Sequence, residues 1–184
     1  EGLQNRGFPV TRLDRLRADI HDAFTAIDEG MSLYKPTSEL SRLNGQPTGR
    51  LEGSPALFEV LETASEVARI SGGAFDPTIA PLADAWGFGP SRSRDFPSAA
   101  TLEEKRRTVG YAGLTLDPAT RTVEKAQGDL ALDLGGIAKG KGADAAASAL
   151  LAAGIVEVRF DDVVDVPFAF VPGVKTPPAA RDVA

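Results

Sequence analysis

The residues with the strongest chemical character lie in one stretch, Leu130-Ala-Leu-Asp-Leu-Gly-Gly-Ile-Ala-Lys-Gly-Lys-Gly142. The pattern predicts a strand, a glycine-rich turn and a helix, so that backbone N–H groups at the start of the helix can bind an anion such as a phosphate. Asp133 interrupts an apolar strand, and a buried carboxylate needs hydrogen-bond donors or a ligand. Two interpretations stay open: a tight turn whose aspartate caps the backbone, and a phosphate or cofactor site.

The same stretch nearly matches the phosphate-binding pattern G-x-x-x-x-G-K-[ST] of nucleotide hydrolases. Gly135 to Lys141 fit it, but Gly142 stands where a hydroxyl would hold magnesium. We therefore reject a nucleotide hydrolase of this class.

Three other segments carry candidate binding residues. In Gly72-Gly-Ala-Phe-Asp-Pro77 the glycines let the backbone approach a ligand, and Asp76 is held extended by the following proline. The alternative for Asp76 is an Asx turn after a helix. Trp86-Gly-Phe-Gly89 offers aromatic surface or simple core filling. Tyr34, in a polar loop, can stack on a flat ring or pack locally.

The elements that must position these residues follow from hydrophobic periodicity and turn signals. Helical spacing predicts helices over 12–31 and 55–71, the second with Ser54 as N-cap and Gly72 after its end. A short helix is predicted to begin at Thr101, and an alanine-rich helix to cover 143–153. Alternation predicts a hairpin of 114–116 and 122–124, and strands at 130–134 and 155–160. The partly segregated helices and strands indicate an α+β fold with a mainly antiparallel sheet.

Composition excludes several function classes. The 184 residues carry 20 Lys and Arg against 26 Asp and Glu, a formal charge of −6, which argues against general nucleic-acid binding. There is no cysteine and one histidine, so thiolate catalysis and multi-histidine metal clusters are excluded. The longest nearly apolar stretch, Ala145 to Val156, is too short for a transmembrane segment, which needs about 20 residues.

Five segments in a fixed order, between Met31 and Gly140, resemble the FAD:protein FMN transferase (ApbE) family. They are Met31-Ser-Leu-Tyr-Lys-Pro-Thr-Ser-Glu-Leu-Ser-Arg-Leu-Asn44, Gly73-Ala-Phe-Asp-Pro-Thr-Ile-Ala-Pro-Leu82, Trp86-Gly-Phe-Gly89, Val109-Gly110 and Leu132-Asp-Leu-Gly-Gly-Ile-Ala-Lys-Gly140. The resemblance implies an ApbE-like, T-fold-related flavin transferase. Such an enzyme splits FAD and attaches the FMN half to a threonine of an acceptor protein, releasing AMP, with Mg²⁺ bound.

The resemblance also implies residue roles. The backbone carbonyl of Gly136 would help to bind Mg²⁺, and no catalytic residue is assigned. We expect five side chains to share one cleft, although about 100 residues separate the first from the last: Tyr34, Phe75, Asp76, Asp133 and Lys139. The residues that would contact FAD are Tyr34, Ala74, Phe75, Asp76, Asp133 and Lys139.

The chain departs from the family pattern at both ends. No Met-Gly-Thr strand precedes Arg12, and no His-x-x-Asp-Pro segment or metal-binding Asp and Thr follows Phe160. We therefore expect a partial transferase domain over 1–160 and an atypical tail over 161–184, with an unpaired sheet edge. From this we expect the chain alone to bind FAD weakly or not at all and to transfer no FMN. The alternative is a non-catalytic flavin-binding or partner-binding module. Family members are often periplasmic or membrane-anchored lipoproteins; the sequence itself assigns no compartment.

Overall fold

A computed structural model of the chain describes residues 9–47, 49–93 and 95–155. Those residues form six α-helices and three short strands. In chain order the elements are α1 (Val10–Met31), α2 (Glu39–Gly45), β1 (Gly49–Glu52), α3 (Pro55–Ile70), α4 (Ala80–Ala85), α5 (Ala99–Arg106), β2 (Leu114–Asp117), β3 (Thr122–Lys125) and α6 (Gly135–Ala152). The α+β class is confirmed.

The two long N-terminal helices form as the sequence predicts. In α3 the Ser54 hydroxyl accepts a hydrogen bond from the N–H of Leu57 at 3.2 Å, and Pro55 occupies the first helical position. Gly72 follows the helix with φ of +61°, the left-handed conformation that a glycine adopts at low cost. Strong local signals at both ends therefore fix α3.

The sheet has the strand order β1-β3-β2, with both pairs antiparallel. The hairpin of β2 and β3 is confirmed, with Leu116 opposite Val123, whereas β1 was not predicted. Within the described ranges β1 and β2 each pair on one side alone. The predicted strand at 155–160 lies outside the described residues from 156 onward, as does the tail at 161–184, so the unpaired edge and the domain boundary stay predictions.

The segment 130–134 is not a strand, contrary to the prediction. Its leucines alternate as a strand would require, since Leu130, Leu132 and Leu134 are all buried. With the rest of the described chain, however, its backbone makes no ladder and forms one isolated parallel bridge, between Ala131 and Ile79. Other groups take its hydrogen bonds, because the Asn44 side chain pairs with Leu132 and the carbonyl of Pro77 accepts from Asp133 N–H at 2.8 Å.

Two helix starts also differ from the prediction. Helix α6 begins at Gly135 rather than Ala143, so the predicted glycine-rich turn is helical. The glycines allow close packing on α1: a Cβ on Gly142 would lie 3.3 Å from a ring carbon of Phe24. Helix α5 begins at Ala99, because Ser98 rather than Thr101 is the N-cap and accepts from the N–H of Thr101 at 3.1 Å.

The hydrophobic core lies among α2, α3, β3 and the extended segment 130–134. Removing such side chains from water stabilises the fold by roughly 1.5–3 kcal/mol each. The described helices include none that is long and apolar enough to cross a membrane. The fully buried core side chains include Leu40, Leu43, Leu57, Leu61, Val123, Leu132 and Leu134.

Candidate functional site

A cavity of about 560 Å³ opens between the C-terminal half of α1, the loop that follows it and the first turns of α6. Phe24, Ile27 and Met31 give it an apolar wall. Three of the predicted binding residues line it, and they come from three distant segments: Tyr34, Asp133 and Lys139. The expectation of one shared cleft is met for these three. It is not met for Phe75 or Asp76, which do not line the cavity.

Asp133 is held at the cavity by its own backbone and by the start of α6. Its N–H donates to the carbonyl of Pro77, and its Oδ1 accepts from the N–H of Gly135 at 2.8 Å. The carboxylate thus satisfies one of the N–H groups that a helix leaves unpaired at its start. The carboxylate therefore caps the backbone, as the first interpretation required. It also lies in the cavity wall, and the phosphate or cofactor site stays a prediction.

Lys139 supplies the positive charge of the cavity. The side chain is exposed, and no carboxylate among the described residues lies within ion-pair distance of it. Lys141, two positions along the helix, instead pairs with Glu59 of α3 at 2.5 Å. The two lysines of the glycine-rich stretch therefore differ: Lys141 joins α6 to α3, whereas Lys139 is available to an anion in the cavity.

Tyr34 joins the cavity to the loop that follows α4. Its hydroxyl donates to the carbonyl of Phe88 at 3.1 Å, and its N–H donates to the Ser32 hydroxyl. The guanidinium of Arg92 lies 5.9 Å from the ring centroid, within the range of a cation–π contact. The ring is 58% exposed, so it remains accessible for stacking at the cavity mouth.

The second carboxylate of the cavity wall is already neutralised. Asp28 forms an ion pair with Lys35, and the hydrogen bond from Lys35 lowers the pKa of Asp28 below its ordinary value. The same contact raises the pKa of Lys35. Both side chains are about half exposed, so water screens the pair and it contributes little to stability.

The triplet Ala74, Phe75 and Asp76 lies beside the cavity rather than in its wall. Ala74 is exposed, and Phe75 packs under the first turn of α6, where a Cβ on Gly136 would come within 3.2 Å of the Phe75 ring. The Asp76 carboxylate accepts from the N–H and hydroxyl of Thr78, and from the N–H of Tyr111 at 3.0 Å. The Asx turn considered from the sequence is thus present, and it reaches a second loop.

No group of three or more His, Cys, Asp or Glu side chains that could hold a metal occurs in the described ranges. Gly136, expected to offer its carbonyl to Mg²⁺, lies in the first turn of α6. Mg²⁺ prefers six oxygen ligands in octahedral geometry. One carbonyl and the nearby Asp133 carboxylate do not complete such a set, so the described residues do not by themselves fit a magnesium site.

Sequence reasoning missed Asn44. Its side-chain amide donates to the carbonyl of Leu132 at 2.9 Å, and its Oδ1 accepts from the N–H of Leu132 at 2.8 Å. Asn44 also lines a second cavity of about 270 Å³, which shares Leu33 and Asp133 with the first. The sequence signals were an asparagine before Gly45, which is typical of a turn, and its position at the end of the first family-like segment.

Comparison with known proteins places this geometry in a family. The model of the ApbE family matches residues 5–161. The FAD:protein FMN transferase of Haemophilus influenzae is 34% identical over 142 residues, covering 74% of this chain and 41% of that protein. The enzyme of the same name from Vibrio cholerae is 35% identical over 149 residues, covering 79% of this chain and 41% of that protein.

Solved structures agree with the sequence comparison. The flavin transferase ApbE from Vibrio cholerae superposes with a TM-score of 0.73 at 32% identity, covering 77% of this chain and 46% of that one. The flavinyl transferase ApbE of Pseudomonas stutzeri, in its apo form, gives a TM-score of 0.71 at 30% identity, covering 79% and 48%. The chain thus spans about two fifths of the length of the curated relatives it matches.

Proposed function

The chain belongs to the ApbE family, and on that premise we propose that it binds FAD and takes part in transferring the FMN half to a threonine of an acceptor protein. Support comes from one observation above the others. Tyr34, Asp133 and Lys139 line a single cavity although they lie far apart in the chain. A flavin nucleotide has a flat apolar ring system and a charged pyrophosphate. The aromatic ring and the apolar wall suit the first, and the unpaired cation, held near the carboxylate at the start of α6, suits the second.

The proposed reaction is a phosphoryl transfer. The threonine hydroxyl oxygen of the acceptor attacks the phosphorus of the FMN half, and the phosphorus–oxygen bond to the AMP phosphate breaks. The products are a phosphoester-linked FMN on the acceptor and free AMP, and the hydroxyl proton is released. Positioning and electrostatic stabilisation account for most catalysis of this kind.

Each cavity residue has a part in that chemistry. Lys139, unpaired among the described side chains, would stabilise the pyrophosphate charge as a mobile point cation. Tyr34 would stack on the flavin ring system, and the apolar wall of α1 would exclude water from it. Asp133 holds the start of α6, and thereby the lysine one turn further on, at a fixed distance from the substrate.

Mg²⁺ belongs to the proposal through the family resemblance, with the Gly136 carbonyl as one ligand. Its charge would neutralise pyrophosphate oxygens when bound. Because the described residues do not complete its coordination, we derive no step from it. The roles of Ala74, Phe75 and Asp76 as FAD contacts likewise stay proposals, with Phe75 and Asp76 acting through the backbone they support.

The test is FAD binding by the purified chain, followed by flavin fluorescence, with two lysine variants. Lys139→Ala should raise the dissociation constant about tenfold, since a charge-assisted contact contributes roughly 1.5 kcal/mol or more. Lys141→Ala is the matched control, with the same charge change on the same helix, and should stay within about twofold. Equal effects of both variants would contradict the assignment of the cavity.

A second measurement separates transfer from binding alone. The chain is incubated with FAD, Mg²⁺ and an acceptor protein that carries a candidate threonine, and the acceptor is weighed by intact mass spectrometry. A mass gain equal to one FMN less one water supports the transfer reaction. FAD binding without any mass gain is also what a partial transferase domain would give, so the reaction is repeated with a family segment that carries the His-x-x-Asp-Pro motif. A mass gain only with that segment supports transfer, and no gain in either reaction supports the alternative, a non-catalytic flavin-binding module.

A further inference from the structure

One side chain outside the proposed FAD contacts controls the backbone beside Asp133. The Asn44 carboxamide donates to the carbonyl of Leu132 and accepts from its N–H, at 2.9 and 2.8 Å, across 88 residues of sequence. A residue in extended backbone usually receives this pair of hydrogen bonds from a neighbouring strand. Here a single side chain supplies both, because an amide carries a donor and an acceptor in one plane.

The position of this pairing matters because Leu132 directly precedes a cavity residue. That residue is Asp133, whose N–H is fixed to the carbonyl of Pro77 and whose carboxylate accepts from Gly135 at the start of α6. Leu132 itself is fully buried, so its side chain cannot shift without disturbing the core. The Asn44 hydrogen bonds thus act on the residue directly before Asp133, and a change in the Leu132 backbone would move the Asp133 carboxylate in the cavity wall.

A buried lysine supports Asn44 from the other side. Lys125 is 2% exposed, and its ammonium donates to the carbonyl of Asn44 at 3.2 Å and to that of Gly128 at 3.4 Å. Burying an ammonium group is costly unless its donors are satisfied. The two carbonyls accept from two of its three donors, and these contacts tie the end of α2 to the loop after β3.

We propose that Asn44 is a positioning residue for the FAD cavity, which acts by fixing the backbone of Leu132 and thus the carboxylate of Asp133. The FAD part of this inference rests on the proposed function. The backbone part does not, because the pairing of Asn44 with Leu132 has an observable of its own. Asn44 lines the second cavity only, so its effect on the first is transmitted through Asp133.

The first measurement is amide hydrogen exchange of the full chain without FAD. In Asn44→Ala the N–H of Leu132 loses its acceptor, and we expect its exchange to accelerate at least about tenfold. Should this variant fold poorly, Asn44→Asp keeps the acceptor and removes the donor, and we expect a smaller acceleration at Asp133 and Gly135. Unchanged exchange at Leu132 in Asn44→Ala would overturn the inference whether or not the chain binds FAD.

The second measurement is a double-mutant cycle on FAD affinity. If Asn44 acts through Asp133, Asn44→Ala should weaken FAD binding about tenfold in the wild-type background and less than about twofold in an Asp133→Ala background. A purely structural loss would be additive. Val60→Ala, a core truncation on α3 at a residue that lines neither cavity, is the control for lowered stability and should leave the affinity unchanged. Additive effects would overturn the positioning role, whereas absent FAD binding by the wild type would overturn the proposed function alone.

Discussion

Replacing Asp76 with alanine should weaken the whole fold, because its carboxylate joins two loops. One oxygen accepts from the N–H and the hydroxyl of Thr78, at 2.8 and 2.6 Å, and the other accepts from the N–H of Tyr111 at 3.0 Å. The Thr78 hydroxyl in turn accepts from the N–H of Gly110 at 2.7 Å. Thr78 is fully buried, so water cannot replace the lost acceptor there.

The size of the effect follows from these bonds. A hydrogen bond to a charged group contributes roughly 1.5–3 kcal/mol, but such contributions within one network do not add fully. We expect Asp76→Ala to lower the free energy of unfolding by about 3 kcal/mol. For 184 residues that corresponds to a fall in Tm of roughly 8 °C. Asp76→Asn keeps one acceptor oxygen but turns an N–H₂ group toward Tyr111 or Thr78, so about half of the loss is expected.

Urea unfolding followed by far-ultraviolet circular dichroism measures this loss through the transition midpoint and the slope. Asp22→Ala is the control, because it removes the same charge at an exposed position on α1 and should change the free energy by less than about 0.5 kcal/mol. An Asp76→Ala variant as stable as Asp22→Ala, but with weaker FAD binding, would refute the structural role and make Asp76 a direct FAD contact.

Three further variants test other parts of the fold. Burial lowers the pKa of Lys125 below its value in the unfolded chain, about 10.4. At a pH between the two pKa values the unfolded chain binds more protons than the folded one, so the free energy of unfolding rises with pH there. Lys125→Met should remove that rise. Urea titrations between pH 8 and 10 should therefore show the free energy of unfolding of the wild type increasing relative to that of the variant, and a relative decrease would contradict this. Gly89→Ala would place a Cβ within 2.3 Å of the Asp84 carboxylate and close to its backbone, so we expect the free energy of unfolding to fall by about 2 kcal/mol. Unchanged thermal stability of this variant would contradict the contact. Ser54→Ala removes the N-cap acceptor of the Leu57 N–H and should cost about 1 kcal/mol in thermal unfolding, against no change if the cap is dispensable.

The sequence predicted those elements whose determinants are local. Helix α3 carries its cap, its first-turn proline and its terminal glycine within its own segment, and the β2–β3 hairpin has its turn between its strands. The segment 130–134 has an equally clear alternation but was predicted wrongly. Its hydrogen-bond partners are Asn44 and Pro77, which lie too far along the chain for any local pattern to reveal them.

In the candidate site, too, the sequence reveals the features that depend on local residues and not those that depend on distant contacts. Asp133 and Lys139 stand out because a charged residue in an apolar or glycine-rich stretch is unusual wherever it folds. The helical state of Gly135 to Gly142 was not predictable from propensity, since glycine disfavours helices by about 1 kcal/mol relative to alanine. Close approach to Phe24 of α1 explains the glycine at 142, and that contact is a property of the tertiary structure.

The span between Asn44 and Leu132 has a consequence for how the molecule is made. A ribosome adds roughly 5–20 residues per second, so the 88 residues from Gly45 to Leu132 take about 4–18 s to be synthesised. During that interval α1, α2 and α3 can already form. The Asn44 carbonyl still lacks its donor, Lys125, and the Asn44 side-chain amide still lacks its partner, Leu132. The nascent chain therefore passes through a period in which the apolar wall of α1 has no α6 to cover it. Chaperone capture of this protein is expected to fall in that window rather than after release.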